Sequence, residues 1–142
     1  MQIVVDPSSL HRSSFDSITG VLFVAADAQA FPEHGWSDFP VVVLGWWLEA
    51  LQQLAATGEA TFSFMDGPYE IRIRRRDESL EAELIESRLP HEHVTHKASS
   101  TFGELGASLK SAARETLTAC AANGWSNADV LALERAWTLA TF

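Results

Sequence analysis

Three closely spaced histidines are the residues of this chain best suited to chemistry. They lie in the segment 91–96, H-E-H-V-T-H, with the spacing H-x-H-x-x-H. Neutral imidazoles are good zinc ligands, and a catalytic zinc site keeps three protein ligands and one water. As one alternative, the segment therefore predicts a zinc-binding protein or a metal-dependent hydrolase that uses His91, His93 and His96.

This spacing resembles the first metal motif of the metallo-β-lactamase family, H-x-H-x-D-H, and the resemblance implies hydrolysis at zinc. Thr95 stands where that family has an acid. Side chains alternate across a strand, so in a regular strand His91 and His93 share one face and His96 points to the other. This geometry favours a polar strand end or loop that carries three surface imidazoles.

Other common catalytic patterns do not occur in the sequence. It has no G-x-S-x-G nucleophile elbow, no G-x-x-x-x-G-K-[ST] phosphate loop and no G-x-G-x-x-G. The single cysteine, Cys120, lies among apolar residues at helical spacing, which is typical of a buried, reduced thiol. We therefore expect a protein that is not an enzyme and holds no cofactor.

The net charge of the chain limits the classes of partner that it is expected to bind. The 142 residues carry a formal net charge of −9, which argues against nucleic acid and anionic lipid because both require a basic face. Residues 1–58 hold six acids and one arginine, a net charge of −5. If this acidity serves recognition, the partner is a basic protein.

The sequence also gives an expectation about location. No basic region followed by a long apolar core opens the chain, so no signal peptide is expected. The longest apolar run, residues 41–48, is far shorter than the ~18–20 residues needed to span a bilayer. We therefore expect a cytoplasmic protein.

The elements that position these residues are organised around one apolar stretch, Trp36 to Ala56. It predicts a central buried helix with Ser37 or Asp38 as N-cap, Pro40 in the first turn and Gly58 as the stop. Trp46 and Trp47 are adjacent and so point roughly 100° apart on a helix. Both are buried only if the helix is covered on two sides.

A three-stranded antiparallel meander is predicted for residues 59–87, because the sequence there alternates with period two. The pair Asp66-Gly67 is a hairpin signal that sets Phe62 opposite Ile71. A second turn near residues 77–78 sets Arg72 opposite Glu83. Both registers bury the same face of the sheet.

The rest of the chain completes an α+β fold. Short strands are expected at residues 3–5 and 21–26, and residues 91–98 form either a fourth strand or a loop. A capping box at Thr101 begins one C-terminal helix, and residues 126–129 begin another. We predict one domain over residues 1–142, in which an antiparallel sheet packs against one central and two C-terminal helices.

Three segments carry a second resemblance: F-P-E-H-G-W-S-D-F-P at 31–40, W-W-L-E-A-L at 46–51 and F-M-D-G-P-Y at 64–69. They are similar to small bacterial proteins of the type that accompanies polymorphic toxins as immunity proteins. The resemblance implies a non-enzymatic protein-binding module that occludes a toxin. The residues expected to bind the partner are Trp36, Asp38, Asp66 and Tyr69. A third alternative is a homo-oligomeric structural component, and the oligomeric state stays open.

Overall fold

Two antiparallel sheets and three helices make up the fold in the computed structural model, which describes residues 1–142. This confirms the predicted α+β class. The first sheet is built around β3, which pairs with each of the other four strands and is longer than predicted. Its strands are β1 (Gln2–Val5), β2 (His11–Arg12), β3 (Ile18–Ala26), β4 (Gln29–Phe31) and β5 (Ser37–Asp38).

The second sheet contains the predicted meander and one further strand. Its strands run in sequence order and are β6 (Glu59–Ser63), β7 (Tyr69–Arg76), β8 (Ser79–Arg88) and β9 (His91–Ser100). Phe62 pairs with Ile71, and Arg72 pairs with Glu83, so both predicted registers are confirmed. The segment that was predicted as strand or loop is β9.

β9 follows β8 with one irregularity, a β-bulge at Thr95. Leu84 pairs with His96, whereas the next residue of β8, Ile85, pairs with Val94. Thr95 is therefore the extra residue on β9. A bulge of this kind interrupts the strict alternation of faces along a strand.

The helices are α1 (Pro40–Thr57), α2 (Phe102–Ala122) and α3 (Ala128–Leu139). Thr101 caps α2 as predicted, and its side chain accepts a hydrogen bond from the Glu104 N–H at 3.1 Å. Gly58 ends α1 with a left-handed φ of 83°, which glycine adopts at little cost. The predicted N-cap of α1 is wrong: Phe39 occupies that position and makes no side-chain cap.

One hydrophobic core of 28 buried residues joins both sheets and all three helices, with α1 at its centre. Trp47 is 0% exposed, stacks on Phe62 at a centroid distance of 5.2 Å, and donates its indole N–H to the carbonyl of Ser63. Trp46 is 44% exposed, so α1 is not covered on the side that Trp46 faces. None of the three helices combines the length and the apolar composition needed to cross a membrane.

Candidate protein-binding site

The carboxylate of Asp38 joins the start of α1 to the turn between β6 and β7. Asp38 is 1% exposed. Its Oδ1 accepts hydrogen bonds from the backbone N–H groups of Phe39 at 2.8 Å and Met65 at 3.2 Å. Its Oδ2 accepts from the backbone N–H of Asp66 at 3.2 Å and from the indole Nε1–H of Trp36 at 3.0 Å. Four donors thus compensate the buried charge, and the carboxylate is committed to holding the fold.

Trp36 and Tyr69 form an edge-to-face aromatic pair on this turn. Their ring centroids lie 5.2 Å apart with an interplanar angle of 80°, and both side chains are half-buried. Gly67 packs against them: a Cβ at this position would come within 2.7 Å of the Tyr69 ring and 3.3 Å of the Trp36 ring. Its φ of +72° also favours glycine. The turn is therefore shaped around the two rings.

The same turn presents an acid and a flexible apolar side chain to solvent. Asp66 is exposed, and Met65 is 39% exposed. Glu33 is also exposed, and its carbonyl accepts a hydrogen bond from the Trp36 N–H at 3.2 Å. Trp, Tyr and Met are enriched in protein interfaces. We call these five residues, Glu33, Trp36, Met65, Asp66 and Tyr69, the Trp36–Tyr69 surface.

Most arginines are already paired with acids of the same chain. The ion pairs are Arg12–Asp16, Arg72 with Glu70 and Glu92, Arg74–Glu59, Arg76–Glu81 and Arg88–Glu86. In the Arg72 group, the hydrogen bond from Arg72 lowers the pKa of Glu92. Neither Asp66 nor Glu33 has a partner of this kind. The carboxylates of the Trp36–Tyr69 surface are therefore free for a cation from outside.

The four residues predicted to bind a partner come together in the structure. Trp36 and Asp38 precede α1, and Asp66 and Tyr69 belong to the β6–β7 turn and the start of β7. Trp36, Asp66 and Tyr69 reach the surface, whereas Asp38 is buried beneath them. Asp38 is thus placed to support the surface from below. The binding role itself stays a prediction.

The three histidines share one face of β9. The bulge at Thr95 reverses the alternation between His93 and His96, so the prediction that His96 points to the opposite face is wrong. Their side chains nevertheless do not converge. No group of three or more His, Cys, Asp or Glu side chains in the chain is placed to hold a metal ion.

His96 instead lies against the other sheet. Its Nε2 is 3.4 Å from Oδ2 of Asp27, in the turn between β3 and β4. The Nε2 atom is buried and makes no hydrogen bond within the protein, because the two groups are close without the alignment that a hydrogen bond requires. The imidazole therefore packs where the two sheets meet.

Sequence reasoning missed Phe31 as a neighbour of this site. Phe31 lies on β4 and packs edge-to-face on Tyr69 at 5.7 Å and on Phe64 at 5.9 Å. β4 was missed because the two-residue turn that leads to it, at Asp27 and Ala28, was not recognised in the sequence. The φ values of these two residues are 48° and 64°. Asp27 is a common residue at the first position of such a turn, but the second position usually holds glycine and has Ala28 here.

Comparison with family models, with curated proteins and with solved structures gives no match to this chain.

Proposed function

We propose that this chain is a non-enzymatic protein-binding module that holds a basic partner on its Trp36–Tyr69 surface. The observation that carries the proposal is the aromatic pair, which is fixed before binding by the buried Asp38 carboxylate. Aromatic side chains held in place lose little conformational entropy on binding, and Trp and Tyr are frequent interface hot spots. Asp38 accepts four hydrogen bonds, so its role at this site is structural.

The charge of the surface supports a basic partner. Asp66 and Glu33 are exposed and unpaired, and the whole chain carries a net charge of −9. Complementary charge speeds encounter and selects among partners. It also predicts that binding weakens as salt is raised, because exposed charges are screened.

The specific form of the proposal is an immunity-like inhibitor that covers a basic bacterial toxin, as the resemblance of residues 31–40, 46–51 and 64–69 implies. A cytoplasmic location belongs to the same proposal. It is supported by the single cysteine, Cys120, whose thiol is free and buried, as is usual for a protein kept in a reducing compartment.

The test is capture of the partner by immobilised protein from a lysate of the source organism, at low and at moderate salt. The informative variant is Asp66→Lys. The side chain of Asp66 is exposed and only its backbone N–H is used in the fold, so the substitution should leave folding intact. Glu115→Lys is the matched control, since Glu115 is exposed on α2 and makes the same charge change elsewhere.

We expect one basic protein to be retained in stoichiometric amount by the unaltered chain and by Glu115→Lys, and to be lost with Asp66→Lys. Equal loss with Asp66→Lys and Glu115→Lys would show only non-specific attraction to negative charge and would overturn the proposal.

A further inference from the structure

Four of the five histidines of the chain lie around the Trp36–Tyr69 surface. They are His34, His91, His93 and His96, whereas the fifth is His11 on β2. His34 is exposed and belongs to the turn that is closed by the backbone hydrogen bond from Trp36 to Glu33. One histidine is therefore part of the loop that carries the first aromatic ring of the surface.

The register of the second sheet places two of the β9 histidines beside Tyr69, the second aromatic ring. Tyr69 pairs with Glu86, and Glu86 pairs in turn with His93, so these three side chains lie side by side on one face of neighbouring strands. His96 lines the same small pocket as Tyr69. Both histidines are thus within two strands of the surface assigned to partner binding.

His91 is connected to Tyr69 through Arg88. The two residues His91 and Arg88 pair across β8 and β9. The pKa of Arg88 is raised, first by the hydrogen bond to Glu86 and to a smaller extent by Tyr69, so the guanidinium is close to both of these side chains. His91 and His93 are exposed. We call His34, His91, His93 and His96 the histidine rim of the Trp36–Tyr69 surface.

The charged side chains that face this rim are mostly acids. Four acids and one base give a net charge of −3, and they are Asp27, Glu33, Asp66, Glu86 and Arg88. Asp27 Oδ2 is 3.4 Å from His96, and Glu86 is paired with Arg88. His34 packs on the ring of Phe23, which carries no charge.

Two further charges on β9 belong to the other face of the sheet. Glu92 lies between His91 and His93 in the strand and is paired with Arg72. Lys97 follows His96 directly and pairs in register with Glu83. The fixed charges beside the rim therefore favour a basic partner while the imidazoles are neutral.

Weak acid reverses this balance of charge. Histidine changes its charge between about pH 5 and pH 8, whereas aspartate and glutamate stay ionised down to about pH 4. The four imidazoles do not converge on a metal position, so each can take up a proton. Protonation of all four changes the net charge of the surrounding groups from −3 to +1. A cation that is attracted near neutral pH is then repelled.

We propose that the histidine rim makes binding at the Trp36–Tyr69 surface depend on pH, so that a basic partner is held near neutral pH and released in weak acid. The proposal rests on the proposed function, which it deepens by naming the groups that regulate the same surface.

The experiment titrates the purified chain with a short oligolysine peptide, which stands in for the basic partner, at about pH 7.5 and at about pH 5.5. The backbone amide signals of Trp36, Asp66 and Tyr69 are followed by NMR against a peptide-free reference at each pH. We expect them to shift near neutral pH, with an affinity about tenfold weaker in acid, because several exposed charges each contribute modestly. The amide signal of Glu115, which is exposed on α2, reports attraction to acids elsewhere.

The decisive variant combines His34→Gln, His91→Gln and His93→Gln. These three side chains are exposed and make no hydrogen bond that the fold uses, so the variant should fold. Its affinities at the two pH values should differ by less than about threefold. His11→Gln is the matched control, since His11 is also exposed but lies on β2, and it should keep the tenfold difference.

Several outcomes contradict the role of the rim: no shift of the three signals near neutral pH, equal affinity at the two pH values in the unaltered chain, or a tenfold difference that persists in the triple variant. Loss of the difference with His11→Gln alone also contradicts it, because the dependence would then come from elsewhere. The peptide titration needs no captured partner. Failure here therefore leaves the result with Asp66→Lys standing, and a failed capture leaves this titration readable.

Discussion

The backbone N–H of Asp66 donates a hydrogen bond to the buried carboxylate of Asp38, 28 residues earlier in the chain. The buried Asp38 carboxylate thus supports the turn from within the protein, whereas the Asp66 side chain at the tip of the turn is exposed to solvent. The two residues are in contact through this hydrogen bond, yet one side chain is buried and the other is exposed. Substitutions at these two positions should therefore separate folding from binding.

Asp38→Ala should lower the free energy of unfolding by about 3 kcal/mol, because it leaves buried donors without an acceptor. Asp66→Ala removes only an exposed side chain and should change it by less than about 0.5 kcal/mol. Urea denaturation measures both values. Equal, small effects for the two variants would contradict the supporting position assigned to Asp38.

The adjacent tryptophans of α1 offer a second matched pair. Trp47→Ala should cost about 3–5 kcal/mol, because it empties a fully buried site and removes the hydrogen bond to Ser63. Trp46→Ala, at a position that is 44% exposed, should cost less than about 1 kcal/mol. A cost at Trp46 as large as that at Trp47 would mean that another part of the chain covers it in solution.

The ion pair between Arg72 and Glu92 should make a small part of the stability depend on pH. The hydrogen bond from Arg72 lowers the pKa of Glu92 in the folded state. Its contribution is therefore present above the unfolded value of about 4.3 and is lost as the pH falls through the lowered folded pKa. Glu92→Gln should melt below the unaltered protein at neutral pH, and this difference should vanish in acid. A difference that persists at low pH would contradict this account, and Glu115→Gln serves as the control.

The histidine segment of β9 should not retain zinc. Its three imidazoles share a face without converging, and a zinc site needs its ligands at about 2 Å from one point. Protein purified without a histidine tag should contain well below one zinc ion per chain by elemental analysis. One zinc per chain, removed by substituting His93 with alanine, would restore the metal alternative.

Local patterns were enough to predict the strands β6, β7 and β8 and the three helices, whereas β9 was left open as a strand or a loop. Alternation with period two and the turns at Asp66-Gly67 and Asp77-Glu78 fixed the registers of β6, β7 and β8, because a slip of one residue would expose the apolar face. Thr101 and Gly58 similarly marked helix ends through chemistry that acts within one turn.

Features set by tertiary contacts escaped sequence reasoning. Asp38 has the right residue type for an N-cap, yet its carboxylate bonds to Met65 and Asp66, and no local rule predicts partners so distant in the chain. No glycine or proline at or beside Thr95 indicates the bulge in the sequence. The four proposed binding residues were predicted as neighbours, but which of them is buried depended on how α1 meets β6.

The β-bulge at Thr95 also affects how readily a further strand could pair with this edge of the sheet. β9 is one of the two edge strands of its sheet, and seven of its ten residues are exposed. An exposed edge of this kind is a template for unwanted strands. The extra residue at Thr95 breaks the even row of donors and acceptors, and an added strand on this edge would crowd the charge of Lys97. A second chain could follow this edge only by carrying a matching irregularity. The same feature that realigns the histidines thus makes the β9 edge a poor template for a further strand.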